Sequence, residues 1–262
     1  MPMPMQDSFI DIRGCKVRML RSGKGTPLVF LHGANGVPGW LPFMETLSKH
    51  HDVIVPEHPG FGQSDTPDWL DRAGDLAYFY LDLFKHLNLG KVHLVGTSLG
   101  GWIAAELAVR NDTVLASLTL VAPAGVRVKG TQMADIFLWS PEKMARNLVH
   151  DPDLSARMMP VEMTEAQQML VLKNRLTTAR LAWQPRLHNP DLRKWLHRVS
   201  VPTQILWGAQ DQLIPASYAQ AWCDLIPSSR STIFSSCGHL PHVEVTDLYC
   251  QTLTQFIREV TP

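Results

Sequence analysis

The stretch Val92–Gly101, with the sequence VHLVGTSLGG, decides the fold of this chain. Val92–Gly96 is a short apolar run with β-branched residues, which predicts a buried strand. Leu99–Arg110 has apolar residues at helical spacing and opens with two glycines in its first turn, so the chain passes from strand to helix at Ser98. A serine on such a tight turn has an exposed hydroxyl group, and flanking glycines remove the Cβ atoms that would collide there. Ser98 is therefore a candidate nucleophile.

Elements of the same two kinds alternate along most of the chain. Six further apolar runs predict strands: Val17–Leu20, Leu28–His32, Asp52–Pro56, Leu118–Ala122, Gln204–Gly208 and Thr232–Ser235. Three further periodic segments predict helices: Leu70–Leu87, Ala216–Ile226 and Thr246–Val260. This alternation predicts an α/β fold with a mostly parallel central sheet and helices on both faces.

One segment departs from the alternation. Residues 126–200 carry Met, Leu, Trp and Arg at helical spacing and contain no convincing strand run. We therefore expect residues 1–125 and 201–262 to form one core, with residues 126–200 as a helical insertion. A chain of 262 residues that is 45% apolar is long enough to bury such a core.

Four other segments follow predicted strands: His32–Gly36 (HGANG), Glu57–Ser64 (EHPGFGQS), Trp207–Pro215 (WGAQDQLIP) and Cys237–Pro241 (CGHLP). With the serine turn, they make the chain resemble the α/β-hydrolase family, in its branch of serine esterases and meta-cleavage-product hydrolases. The resemblance implies the α/β-hydrolase fold. Many members of that family have helices inserted after the sixth strand that form a cap over the active site, and residues 126–200 occupy that place.

The resemblance also implies a catalytic triad. Ser98 would be the nucleophile, His239 the general base and Asp211 the acid that orients the histidine, in the chain order of this fold. The backbone N–H groups of Ala34 and Leu99 would form the oxyanion hole, which stabilises the negative oxygen of the tetrahedral intermediate.

Alternatives remain for several of these residues. Asp211 could instead cap a helix, and Asp224 is a weaker candidate for the acid because it falls inside a helical pattern. We expect His32 to be structural, and His242 and Glu244 to be surface or capping groups.

Six side chains are candidates for substrate contact: Asn35, Met133, Trp139, Met158, Trp183 and Leu240. Methionines and tryptophans within the insertion favour a flexible, apolar pocket. The alternative is that these side chains only hold the insertion together.

Composition narrows the possible partners. Lys plus Arg and Asp plus Glu number 24 each, so there is no basic footprint for nucleic acid or an anionic membrane. The sequence shows neither a membrane span nor a signal peptide, and we expect a cytoplasmic monomer or homodimer. Without a phosphate-loop spacing or a Cys-x-x-Cys pair, we expect no metal and no organic cofactor, and a small-molecule substrate.

The resemblance leaves the reaction open. We expect a carboxylic-ester hydrolase that forms an acyl-enzyme with small to medium, largely apolar substrates. The alternative is a carbon–carbon bond hydrolase of ring-cleavage products, although those enzymes typically have an HGGGPG-like loop and a tryptophan where this chain has Leu240. The cap residues Arg175, Arg180 and Arg186 could bind the carboxylate of such a product. An alternative from another class is a small-molecule receptor with little turnover.

Overall fold

A computed structural model describes residues 4–159 and 162–261 of the chain, and it has the expected α/β fold. Its described strands are β1 (Gln6–Ile12), β2 (Cys15–Ser22), β3 (Pro27–Leu31), β4 (Asp52–Pro56), β5 (Val92–Thr97), β6 (Leu115–Val121), β7 (Thr203–Gly208) and β8 (Ser229–Phe234). They form one sheet in the order β1-β2-β4-β3-β5-β6-β7-β8. The pairs β1–β2 and β2–β4 are antiparallel, and all other neighbours are parallel.

The central strands are apolar because both of their faces are covered. Every residue of β4, β5 and β7 is buried. In β3, Val29 and Leu31 belong to the core on one face, whereas Leu28 and Phe30 belong to the core on the other. This alternation follows from the period of two residues in a strand, and it accounts for the continuous apolar runs in the sequence.

Helices cover both faces of the sheet: α1 (Pro42–Ser48), α2 (Ala73–His86), α3 (Leu99–Arg110), α4 (Pro141–Leu148), α5 (Pro152–Arg157), α6 (Glu165–Ala182), α7 (Leu192–Trp195), α8 (Tyr218–Leu225), α9 (Pro241–Glu244) and α10 (Thr246–Val260). Buried side chains of α2, α3 and α8 share one core, and those of α1 and α10 share the other. The helix bounds of α3 and α10 are those predicted from the sequence.

Helices α4 to α7 all lie between β6 and β7, within residues 126–200. The described part of this segment also has two short 3₁₀ turns, Ile136–Leu138 and Leu196–Arg198, and an isolated bridge from His188 to Gly125. Within the described residues, no helix is long and apolar enough to cross a membrane.

Strand β1 is the one described strand that the sequence analysis missed. Among its seven residues only Ile12 is buried, and the others are exposed or half-buried. It pairs along its whole length with β2 at the edge of the sheet. A strand with one buried side chain has neither an apolar run nor a clear alternation, so periodicity could not reveal it.

Candidate active site

Ser98 stands on a strained turn between β5 and α3. Its backbone has φ +53° and ψ −114°, a conformation that side-chain-bearing residues rarely adopt and that costs about 1–3 kcal/mol. The surrounding chain holds it there: the Ser98 N–H donates to Val121 O at 2.9 Å, and Ser98 O accepts from the N–H of Ala124 at 3.1 Å. The strain is therefore fixed by β6 and the loop after it.

Gly100 allows the helix to begin close to the neighbouring strand. A Cβ atom at this position would lie 2.1 Å from Leu31 O and 2.5 Å from His32 O. No side chain fits in that space. The serine turn and the loop that follows β3 are consequently in direct backbone contact.

His239 and Asp211 come from the loops after β8 and β7, and they form a hydrogen bond. The Nδ1–H group of His239 donates to Oδ2 of Asp211 at 2.7 Å, and both side chains are buried. The Nε2 atom of His239 is buried without a hydrogen-bond partner among the described residues. The ring is therefore oriented with Nε2 free to accept a proton.

The carboxylate of Asp211 accepts three further hydrogen bonds. Its Oδ1 accepts from the N–H groups of Leu213 at 2.8 Å and Ile214 at 2.9 Å, and its Oδ2 accepts from Trp207 Nε1 at 3.0 Å. The two backbone N–H groups that Asp211 binds thus belong to its own loop and not to the first turn of a helix. Asp211 lies outside helix α8, so the alternative of a helix cap does not describe its bonding.

Ser98 and His239 line one cavity of about 240 Å³ together with Ala34 and Leu99, whose N–H groups are the candidate oxyanion donors. Leu99 is the first residue of α3, and the first N–H groups of a helix have no acceptor within it. Ala34 follows Gly33 in a turn closed by the bond from Gly36 N–H to Gly33 O at 3.2 Å. The candidate nucleophile, the candidate base and the two candidate oxyanion donors thus surround one space.

The cavity wall is almost entirely apolar. Of the six residues considered for substrate contact, Asn35, Met158 and Leu240 line it. Further apolar lining that the sequence did not reveal comes from both the core and residues 126–200: Val37, Leu41, Trp102, Ile136, Met144, Leu148, Leu187, Leu213, Ile214 and Val243. No Lys, Arg, Asp or Glu is found among the described residues of the lining.

The other three candidates for substrate contact lie elsewhere, which corrects the expectation. Met133 and Trp139 are buried in the main core rather than along the cavity. Trp183 is half exposed, where its ring packs under the guanidinium group of Arg186 at 3.9 Å and against Phe137. Helical spacing identifies an apolar face, but it does not say whether that face meets a cavity or another helix.

Of the two residues expected to be surface or capping groups, His242 is buried, whereas Glu244 is half-buried and binds backbone N–H groups. His242 lines the cavity, and burial, with a smaller contribution from His239, lowers the pKa of His242 to about 3. Glu244 accepts hydrogen bonds from the N–H groups of Gly238, His150 and Asp151, the last at 3.0 Å. Glu244 thus joins the loop of His239 to residues 126–200. A motif position alone could not show this, because the partners are 93 and 94 residues away.

His32 is structural, as expected. Its Nδ1–H donates to Gly33 O at 2.7 Å, and its Nε2 accepts from the His58 N–H at 2.9 Å. Burial lowers the pKa of His32 to about 4, so the ring is neutral at pH 7 and can accept at Nε2. Through these two bonds, His32 holds the HGANG loop against the loop that follows β4.

The three arginines that could bind a carboxylate are engaged outside the cavity. Arg175 donates to Trp139 O at 3.3 Å, and Arg180 donates to Leu70 O at 3.5 Å. Arg186 forms an ion pair with Asp135 at 2.8 Å. Among the described residues, no group of three His, Cys, Asp or Glu side chains is arranged to hold a metal ion.

Trp102 lines a second, open depression of about 860 Å³ as well as the cavity. Its Nε1–H donates to the buried carboxylate of Glu106 at 2.9 Å, which also accepts from Arg110 and from Asn189 at 2.8 Å. The indole is therefore held in place as a wall shared by the two spaces.

The model of a known family, described as the alpha/beta hydrolase fold, matches residues 26–245. This chain belongs to that family. The solved structures similar to this α/β hydrolase include a serine hydrolase involved in carbazole degradation, the CarC enzyme, with a TM-score of 0.78 and 24% identity. That similarity covers 97% of this chain and 99% of the other, and it supports the fold alone.

Relatives of this α/β hydrolase carry different activities. It is 30% identical to pimeloyl-[acyl-carrier protein] methyl ester esterase from Vibrio cholerae, over 90% of this chain and 95% of that protein. It is 25% identical to 2-hydroxy-6-oxo-6-(2'-aminophenyl)hexa-2,4-dienoic acid hydrolase from Metapseudomonas resinovorans, over 96% of this chain and 90% of the relative.

A third relative is longer than this chain. It is the dihydrolipoyllysine-residue acetyltransferase component of the acetoin cleaving system from Pseudomonas putida, 29% identical over 90% of this chain. The alignment spans only 64% of that protein.

Proposed function

We propose that this hydrolase cleaves carboxylic esters of small to medium, largely apolar substrates through an acyl-enzyme. The observation that carries the proposal is the cavity itself: Ser98 and the free Nε2 of His239 face a small, apolar space with no charged side chain in its described lining. A neutral ester fits such a space, because burying a charge without a partner costs far more than burying an apolar group.

The proposed reaction uses the three side chains in sequence. Ser98 Oγ attacks the ester carbonyl carbon while His239 Nε2 takes its proton, and Asp211 stabilises the imidazolium that forms. The N–H groups of Ala34 and Leu99 receive the negative oxygen. His239 then protonates the alcohol as it leaves. Water, deprotonated by His239, releases the acid from the acyl-enzyme and restores Ser98.

The size of the cavity sets the expected size of the substrate. A cavity of about 240 Å³ is small for a ligand pocket, which favours a short acyl chain. We propose that residues 126–200 serve as the cap of this cavity, since Ile136, Met144 and Met158 contribute to its wall. The proposed partner is a small molecule, with no cofactor.

Carbon–carbon bond hydrolysis of a dienoate is the second candidate, and the Metapseudomonas resinovorans relative favours it. Such a substrate carries a carboxylate, which would need a cation to replace its hydration. Arg175, Arg180 and Arg186 are the cations expected from the sequence, and each is bonded outside the cavity. This is why we place the ester first.

The proposal is tested by the hydrolysis of p-nitrophenyl esters from acetate to octanoate, with a ring-cleavage dienoate assayed in parallel. We expect ester turnover that is lost in Ser98→Ala, whose Cβ fits the same backbone conformation. The matched control is Ser8→Ala on β1, outside the cavity, which should keep full activity.

Faster cleavage of the dienoate than of any ester would support the second candidate instead. Tight binding of either compound without turnover would favour a receptor. Ester turnover that persists in Ser98→Ala would exclude Ser98 as the nucleophile.

A further inference from the structure

The oxyanion turn formed by residues 33–36 is held on its near side at Gly33, whose carbonyl oxygen accepts from the His32 Nδ1–H at 2.7 Å. One backbone bond closes it, from the Gly36 N–H to Gly33 O at 3.2 Å. Within the described residues no hydrogen bond uses the Ala34 N–H, which must remain free to meet an oxyanion. The bonds from His32 and Gly36 both end on Gly33 O, so the position of the Ala34 donor also depends on what holds the far side of the turn.

Asn174 of α6 holds that far side. Its Nδ2 donates to Asn35 O at 3.0 Å, and its Oδ1 accepts from the Gly62 N–H at 2.8 Å. The side chain is buried. Gly36 has φ +81°, and a Cβ atom there would lie 2.7 Å from Asn174 Nδ2, so a glycine is required for this close approach.

The two bonds fix the orientation of the amide. The Gly62 N–H group can only donate and the Asn35 carbonyl can only accept, so oxygen and nitrogen of the Asn174 side chain cannot be exchanged. The bond from the Gly62 N–H is buried and the bond to Asn35 O is partly buried, so an unmatched partner at the Gly62 end would remain unsatisfied. Asn174 is thus a bridge between two core loops that belong to different strands.

We propose that Asn174 is a positioning residue that sets the Ala34 donor of the oxyanion hole, so that the hole is completed by a residue of the helical segment 126–200. This inference rests on the proposed function. An oxyanion donor is effective only when it lies about 2.7–3.1 Å from the developing charge. A shift of the Asn35 carbonyl is transmitted through one intervening peptide to Ala34, and it therefore lowers turnover while the apolar side chains that line the cavity from residues 126–200 stay in place.

Thr177 offers a matched comparison on the same helix. Its Oγ1 donates to Gly60 O at 2.6 Å, and it is buried like Asn174. This bond attaches α6 to the turn that contains Gly62, but it does not reach residues 33–36, and Thr177 does not line the cavity. If Asn174 only attached α6 to the core, substitutions of Asn174 and of Thr177 would have the same effect on kcat.

The test compares Asn174→Asp with Thr177→Val in p-nitrophenyl butyrate hydrolysis. Aspartate has the shape of asparagine and still accepts from the Gly62 N–H, but it places an oxygen against the Asn35 carbonyl. We expect kcat of Asn174→Asp to fall about 10- to 100-fold with KM changed less than about threefold, since removing a whole donor costs about 10²–10³. Thr177→Val should keep kcat within about threefold of the wild type.

A second readout separates this inference from the ester proposal. A fluorophosphonate forms a P–O bond to Ser98 Oγ with loss of fluoride, and its phosphoryl oxygen also needs the oxyanion donors. Its labelling rate should fall in Asn174→Asp and not in Thr177→Val. Should Asn174→Asp fail to fold, as judged by thermal unfolding, Asn174→Ala is compared in the same two assays.

Each outcome decides a different question. A wild type that is labelled but hydrolyses no ester contradicts the ester proposal and leaves the labelling rates to test Asn174. A wild type that is not labelled contradicts the Ser98 mechanism and this inference with it. Equal effects of the Asn174 and Thr177 variants on kcat and on labelling would overturn the positioning role.

Discussion

The bonding of Asp211 predicts that an asparagine cannot replace it in orienting His239. Oδ1 accepts two backbone N–H groups, so the nitrogen of an asparagine would have to occupy the position of Oδ2. There it would face His239 Nδ1 and require that atom to accept. The hydrogen of the neutral ring would then move to Nε2, which could no longer take the proton of Ser98.

We predict that Asp211→Asn keeps the fold and lowers kcat by about 10⁴, as a comparable substitution did in a well-studied triad. The fold should persist because both backbone N–H bonds remain and Trp207 Nε1 also donates to Ile214 O at 2.9 Å. Ester hydrolysis and thermal unfolding of purified protein would measure the two effects.

Asp224→Asn is the matched control for this prediction. Asp224 was the weaker candidate for the acid, and it lies in α8, where its Oδ1 accepts from Gln220 Nε2 at 2.8 Å on the surface. Its substitution should leave kcat unchanged. A loss below about tenfold in Asp211→Asn would show that another group orients His239.

Among the structural elements, helices α4 and α6 contribute side chains to the cavity wall. Met144 of α4 lines the cavity, whereas Met169 of α6 is exposed. Neither is a proposed catalytic group. A comparison of substitutions at the two methionines therefore distinguishes a change in the cavity from a general disturbance of the helical segment 126–200.

We predict that Met144→Ala shifts the preferred acyl chain of p-nitrophenyl esters to a greater length by about two or three methylene groups. Removal of the side chain beyond Cβ leaves room for a longer substrate, and each buried methylene contributes about 0.8 kcal/mol. Met169→Ala should leave the preference unchanged. An unaltered chain-length profile in Met144→Ala would mean that the acyl chain lies along a different wall.

The elements of the fold could be predicted where burial leaves a periodic trace. Seven strand runs and the helices α2, α3, α8 and α10 are visible in the sequence because each buries an apolar face, whereas the short helices α1 and α9 were not predicted. The edge strand β1 leaves no such trace. The site is visible because its residues follow strand ends, and loops at the carboxyl edge of a parallel sheet converge.

The cavity wall could not be predicted in the same way. Trp139 and Met144 stand five positions apart with similar chemistry, yet one packs in the core and the other meets the cavity. The difference depends on how the helices of residues 126–200 cross one another, which pairwise spacing does not encode. The burial of His242 was missed for the same reason, since its aromatic neighbour Phe30 comes from a distant segment.

The whole molecule should lose stability in mild acid. His32 and His242 are buried with pKa values of about 4 and about 3, both lowered chiefly by burial, whereas unfolded histidine titrates near 6.5. Between these values the unfolded chain binds more protons than the folded one. The two neutral histidines therefore contribute fully to the free energy of unfolding above pH 6.5, and this contribution is lost as the pH falls from 6.5 towards their folded-state pKa values.

We predict that the free energy of unfolding falls between pH 7.5 and pH 5, by roughly 2 kcal/mol for each such histidine. Urea denaturation at the two pH values measures it. His242→Phe, whose ring would sit among Phe30, Phe43 and Tyr249, should reduce the fall by roughly 2 kcal/mol. An equal fall in the variant would assign the acid sensitivity to other groups.

The position of Trp102 affects the path by which substrate and product could move between the cavity and solvent. The indole lies between the cavity that Ser98 lines and the open depression, and its hydrogen bond to Glu106 holds the ring in that position. The two spaces are therefore separated at Trp102. A small residue at position 102 would join the cavity to the depression, so that the substrate could enter through one opening and the product leave through the other.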